Sequence, residues 1–93
     1  VSAVNSKLNK EIDFQCFPNP AQSSFTLRVN SKITESLSVK LINAMGQIVE
    51  TRELELMEIN NTQEFDVSHL NKGIYYLVIS SNTFQKSEKI LVQ

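Results

Sequence analysis

Apolar and polar residues trade places at every second position along most of this chain, and the alternation restarts roughly every ten residues after a turn signal. Only a strand gives side chains a period of two, so each run buries one face and wets the other. Phe14 and Cys16 alternate with Asp13 and Gln15 until Pro18-Asn19-Pro20, where neither proline can donate to a ladder. Phe25, Leu27 and Val29 then alternate with Thr26, Arg28 and Asn30. Leu37, Val39 and Leu41 do the same against Ser38 and Lys40.

Between these runs the turn residues say where the chain reverses. Asn43-Ala44-Met45-Gly46 predicts a hairpin turn, with Gly46 at the positive φ that a bulge demands. Ile48 and Val49 open the next strand, which continues through Glu50, Arg52, Leu54 and Leu56. Residues 49–58 also mix charges and leucines as amphipathic helices do, but the flanking turns favour a strand. A second turn over residues 57–61 places Asn60 and Asn61 in the left-handed region. Glu64, Phe65 and Asp66 predict a short strand, and Ser68-His69-Leu70 a single helical turn capped by Asp66 or Ser68.

Gly73 releases residues 74–80, where both alternating sets are apolar: Ile74, Tyr76, Val78 and Tyr75, Leu77, Ile79. Such a strand is expected at the centre of its sheet, with its second face partly covered. Asn82 marks a hairpin, and residues 84–92 return. About seven short strands without a helix longer than one turn define an all-β fold, an antiparallel β-sandwich of Ig-like architecture. The Cys–Trp–Cys core of antibody domains is missing, because the chain has one cysteine and no tryptophan.

Size and charge narrow the functions. Ninety-three residues make one small domain, near the lower end of what folds on its own core. A net charge of −1 provides no electrostatic footprint for nucleic acid or an anionic membrane. Nothing approaches the roughly 18 consecutive apolar residues of a membrane helix. The sequence starts at Val1 and reads as a piece of something longer, with residues 1–11 a polar linker or loosely held first segment after an upstream domain.

Chemistry is sparse. Cys16 sits in an apolar stretch and reads as a small buried hydrophobe, distant in sequence from the one histidine, His69. Zinc sites gather several His, Cys or carboxylate ligands, which His69 alone does not supply. Glu53, Glu55 and Glu58 read as a solvated strand face. Asp66 with Asn71 falls short of the six or so oxygens that calcium needs. The two glycines, Gly46 and Gly73, make no phosphate loop. Tyr75 and Tyr76 point to opposite faces, so they do not form one sugar platform. The expectation is a protein that is not an enzyme and needs no metal or cofactor.

Three ordered blocks give a positive reading. Phe17-Pro18-Asn19-Pro20 precedes the strand over residues 25–29. Leu41-Ile42-Asn43-Ala44-Met45-Gly46-Gln47-Ile48-Val49 forms a strand–turn–Gly–x–x–Val block. Asp66-Val67-Ser68-His69-Leu70-Asn71-Lys72-Gly73-Ile74-Tyr75 forms an Asp-x-Ser-x-Leu-x-x-Gly-x-Tyr block, followed by a lysine-bearing last strand over residues 86–93. In these blocks, from about Ile12 onward, the chain resembles the C-terminal sorting domain of cargo proteins of the type IX (Por) secretion system. Asn43 stands where many members carry Asp, and the chain ends in Gln93 where a basic residue is common.

The resemblance implies a secretion signal at the end of a larger protein. Residues 12–93 would be the sorting sandwich and residues 1–11 the link to an upstream cargo domain. Its implied partners are the outer-membrane translocon and a sortase-like peptidase, and its implied destination the cell surface or the medium. Pro18, Asn19, Pro20, Gly46, Asp66, Leu70, Gly73 and Tyr75 carry the family motif, with Gly73 and Tyr75 fixing the final hairpin. Lys86, Lys89, Ile90, Leu91 and Val92 would be the presented signal, because an edge strand offers unpaired backbone groups to a partner. The same edge gives the isolated domain a route to an edge-strand homodimer. A carbohydrate-binding or adhesion sandwich is the alternative.

Overall fold

The computed structural model describes residues 12–31, 35–56, 60–82 and 84–93. The expected linker over residues 1–11 and the turn positions 57–59 lie outside the described residues. Seven strands form: β1 (Ile12–Phe17), β2 (Ser24–Ser31), β3 (Glu35–Asn43), β4 (Ile48–Leu56), β5 (Asn60–Asp66), β6 (Gly73–Ser80) and β7 (Gln85–Val92). They make a three-stranded sheet in the order β1-β2-β5 and a four-stranded sheet in the order β4-β3-β6-β7, all ladders antiparallel. Residues 49–58 are therefore a strand as far as Leu56, and β6 is central.

Period-two burial dictates how the sheets stack. Phe25, Leu27 and Val29 of β2, Leu37, Val39 and Leu41 of β3, and Leu77 and Ile79 of β6 are buried between the sheets. The registers bring the inward sets together, Cys16 opposite Leu27 and Val39 opposite Ile79. Within the core the rings of Phe25 and Phe65, paired across the β2–β5 ladder, stack in parallel, their centroids 4.9 Å apart. The Arg52 guanidinium closes the open side of that stack, 3.9 Å from the Phe65 centroid. Its Nε donates to Glu50 Oε2 at 2.6 Å and its Nη1 to Gln63 Oε1 at 3.2 Å. An edge strand can thus carry an arginine inward, because the stem and the flat face of the guanidinium pack while its rim stays hydrogen-bonded.

The turns obey local chemistry. Gly46 has φ 89°, the left-handed position of a bulged hairpin loop. Asn43 holds that loop: its Oδ1 accepts from the amides of Met45 at 2.9 Å and Gln47 at 3.0 Å. An aspartate would supply those two bonds equally. The asparagine adds a third, from its Nδ2 to Gln47 Oε1 at 3.0 Å.

Two expectations about turns need correction. Asn60 and Asn61 are not left-handed: they lie in β5, opposite Asn30 and Val29, and no described non-glycine residue has positive φ. The ladder to β2 pulls the strand start back to Asn60, so β5 is longer than the short strand predicted. The segment after β5 is a turn closed by Leu70 N on Val67 O at 3.0 Å rather than a helical turn. Asp66 is its cap, accepting from the Ser68 amide at 2.9 Å and the Ser68 hydroxyl at 2.6 Å. Those two bonds from Ser68, hydroxyl first, lower the carboxyl pKa below its ordinary value.

Tyr75 is buried at the start of β6, and its hydroxyl donates to the Asn71 carbonyl at 2.7 Å. This is the tyrosine corner of Greek-key sandwiches, which pins the crossover between the sheets. Gly73 precedes it with φ 149°, a backbone that side-chain-bearing residues rarely adopt. The space beside Gly73 is open, so backbone conformation rather than crowding selects glycine.

Replacing Phe65 with alanine empties the centre of the stack and uncovers Arg52. The expected loss is about 3–5 kcal/mol, read as a lower urea midpoint with an unchanged slope. An effect well below 1 kcal/mol would show that the stack is not central to stability.

Candidate recognition surface

The last strand is the element on which the distant motifs converge. Ile90 and Val92 alternate into the core and are buried, whereas Lys89 is exposed and Leu91 half-buried on the opposite face. Lys86 lies on the inward-pointing set but at the sheet edge, exposed and 3.8 Å from Glu88. Of the five residues expected to form the presented signal, then, Lys86, Lys89 and Leu91 offer side-chain surface. Ile90 and Val92 act as core.

β7 has one ladder neighbour, β6, and its outer edge is closed from an unexpected direction. After β1 the chain crosses between the sheets and lays residues 18–21 along β7. Asn19 Nδ2 donates to the Lys89 carbonyl at 2.8 Å, and its Oδ1 accepts from the Leu91 amide at 3.0 Å. Two residues on, Ala21 N donates to Leu91 O at 2.7 Å and Ala21 O accepts from Gln93 N at 2.8 Å, a parallel bridge to Val92.

The Asn19 carboxamide therefore brackets Ile90 as a backbone unit of a parallel strand would, and Ala21 brackets Val92. The flanking residues Pro18 and Pro20 lack an N–H, so the side-chain amide supplies the donor they cannot. Sequence reasoning placed the motif at a strand end; its second role as a clasp on residues 70 and more positions away had no local signal.

A third contact holds β7 from the face. Phe14 of β1 meets Phe84 with ring centroids 5.7 Å apart. Cys16 lies beside them, and burial followed by the nearby Glu88 carboxylate pushes its thiol pKa up to about 11. The neutral thiol is the favoured form, so its contribution to stability is complete below the ordinary thiol pKa of 9.0 and is lost as pH rises from there through about 11. Toward the β6–β7 hairpin the clasp stops. Among the described residues no hydrogen bond covers the outer edge of β7 at Ser87.

The other motif residues serve these elements. Leu70 packs against the core from the crossover, and Gly73 starts β6 opposite Val92. Tyr75 pairs with Ile90 across the ladder, but its hydroxyl secures the crossover rather than the final hairpin. His69 is exposed in the turn after β5. No group of three or more His, Cys, Asp or Glu side chains suited to a metal occurs among the described residues. Among the described residues no helix is long and apolar enough to cross a membrane.

The two sheets, with the last strand clasped between its ladder neighbour and the crossing segment, make a compact antiparallel β-sandwich module. Residues 15–93 match the family described as "Secretion system C-terminal sorting domain", and the chain belongs to that family, the sorting domains of type IX secretion. The matched region spans all three motif blocks.

Solved structures that share the fold include those of two other proteins. Dimeric latent PorU from Porphyromonas gingivalis superposes with a TM-score of 0.64 at 19% identity, covering 87% of this chain and 9% of that one. A β-glucosidase from Listeria innocua gives 0.53 at 13% identity, covering 88% of this chain and 16% of that one. The chain thus spans a small part of each protein, and at these identities the likeness is one of fold. No curated protein matches the chain by sequence.

Two measurements check the clasp. Asn19→Ala removes both side-chain bonds, and amide hydrogen exchange at Leu91 is expected to quicken while that of the β3–β6 ladder stays slow; unchanged protection at Leu91 would refute the clasp. For Cys16, a pKa of about 11 against the ordinary 9.0 leaves about a hundredfold less thiolate at pH 8. Alkylation by iodoacetamide is expected to be correspondingly slow in the folded protein and fast in urea. Equal rates in both would contradict the burial of the thiol.

Proposed function

We propose that this chain is a non-catalytic signal domain that directs a larger cargo protein across the outer membrane through the type IX secretion system. The observation that carries the reading is the family match over residues 15–93, whose motif residues build and clasp one terminal strand. A translocon that accepts unrelated cargoes must read something independent of the cargo. A rigid sandwich with a fixed last strand supplies that, and the outer edge of β7 beyond the clasp supplies backbone groups for strand addition. The same open edge is where the isolated domain would pair with a copy of itself.

In this reading residues 12–93 are the sorting domain and residues 1–11 join it to the cargo. A sortase-like peptidase acts in that polar stretch, and the cargo is then released or anchored at the surface. The adhesion alternative needs an aromatic platform for sugar. The exposed aromatics among the described residues, Phe17 and Tyr76, lie on the outer faces of different sheets. They do not stack on one ligand, which favours the sorting role.

The test is export of a folded reporter fused to the full chain, in a host that has the system. The fusion is expected outside the cell, and the reporter alone in the periplasm. Deleting residues 86–93 is expected to retain the fusion, but it also strips Ile90 and Val92 from the core. A paired exchange, Lys86→Glu with Glu88→Lys, keeps the ion pair and the fold while reversing the charge at position 86, and is expected to lower export. Full export of the deleted fusion would overturn the proposal.

A further inference from the structure

The outward face of the four-stranded sheet changes character along its length. At the end nearest the β6–β7 hairpin it is wet: Ser38 stands between Glu53 and Ser80, with Gln85 beyond. Glu55 accepts from the Ser36 hydroxyl in the next row. At the other end, beside the chain terminus, one row runs Ile48–Ile42–Tyr76–Lys89 across all four strands, and Ile74 stands next to Leu91. Ile48 is 54% exposed, Tyr76 41% and Ile74 38%.

β-Sheet faces that meet only water normally alternate to polar residues; contiguous exposed apolar rows mark contact surfaces. The rim carries charge of one sign. Lys40, between Thr51 and Val78, and Lys89, next to Tyr76, are exposed. Among the described residues neither has a carboxylate within an ion pair. None of the acids of β4 stands in the apolar row: Glu53 is two rows away, one row beyond Lys40, Glu55 is farther toward the wet end, and Glu50 is bound to Arg52.

We propose that this apolar row and its lysine rim form a docking surface for a protein partner that presents apolar side chains flanked by carboxylates. The charge pattern chooses between occupants. Two copies of this chain meeting on the apolar row would bring Lys40 and Lys89 of each into one interface with no acid in that row to oppose them, and like charges at an interface suppress pairing. An acidic partner satisfies both cations. β7 contributes Lys89 and Leu91 to the row, so the surface forms only when the last strand is in place. The assignment rests on the sorting reading for where the partner is found, a component of the export machinery.

The test compares reporter fusions of the full chain in an export-competent host: unaltered, Ile48→Ser with Tyr76→Ser, Lys40→Glu with Lys89→Glu, and Ser38→Ala with Glu53→Gln at the wet end. Thermal unfolding establishes that each is folded. Both patch variants are expected to lose about tenfold or more in export, as removal of interface anchors does, with the wet-end variant unchanged.

A photo-cross-linking residue at position 76 is expected to join a protein whose linked surface carries Asp or Glu. Changing those acids to lysine is expected to restore export of Lys40→Glu/Lys89→Glu. Export of the patch variants at the unaltered level overturns the docking surface and leaves the sorting role intact. A cross-link to a second copy, or absence of charge-swap rescue, also overturns it. Should the unaltered fusion itself stay in the periplasm, the sorting role fails, and the cross-link from position 76 alone decides the surface: an acidic partner upholds it and no adduct refutes it.

Discussion

A β-strand with one ladder neighbour leaves every second backbone amide and carbonyl facing outward, and of the four strands so placed here, β1, β4, β5 and β7, the last is the one that the crossing segment covers. β7 cannot simply be left at the margin, because Ile90 and Val92 help to close the core. Their burial brings the unpaired edge with it. The crossing segment over residues 18–21 answers the need with one side-chain amide and one backbone unit. Position, edge and clasp are therefore one arrangement, and both the first strand's early stop and the last strand's fixed pose follow from it.

Much of this was legible in advance. The inward sets of β2, β3 and β6 follow from period-two patterning, as does the central place of β6, whose two apolar faces announced it. The hairpin at Gly46 was visible because asparagine and glycine at those offsets have one good solution. What escaped were relations between distant residues. Nothing near Asn19 says that its carboxamide will stand beside Ile90. Nothing near Arg52 says that it will cover a ring on another sheet. The family resemblance implies a place for Tyr75 in the final hairpin, whereas its hydroxyl reaches back to Asn71.

The misplaced asparagines at positions 60 and 61 teach a narrower lesson. Asparagine tolerates the left-handed region, but a ladder with β2 gives its backbone a better use. Local propensity set the expectation and tertiary pairing replaced it. On the last strand the family resemblance implied five presented residues. The pleat divides them into a buried set, Ile90 and Val92, and a set with exposed surface, which is continuous with the outward faces of β3, β4 and β6.

The clasp has a temporal meaning as well as a geometric one. Asn19 bonds residues 70 and 72 positions later in the chain, and a ribosome makes the asparagine long before it makes them. No partial chain can complete that contact, and contacts of such sequence separation form late in folding. A receptor that bound the clasped last strand would be sensing two things together: that synthesis had passed that strand, and that everything between had folded well enough to bring position 19 beside it.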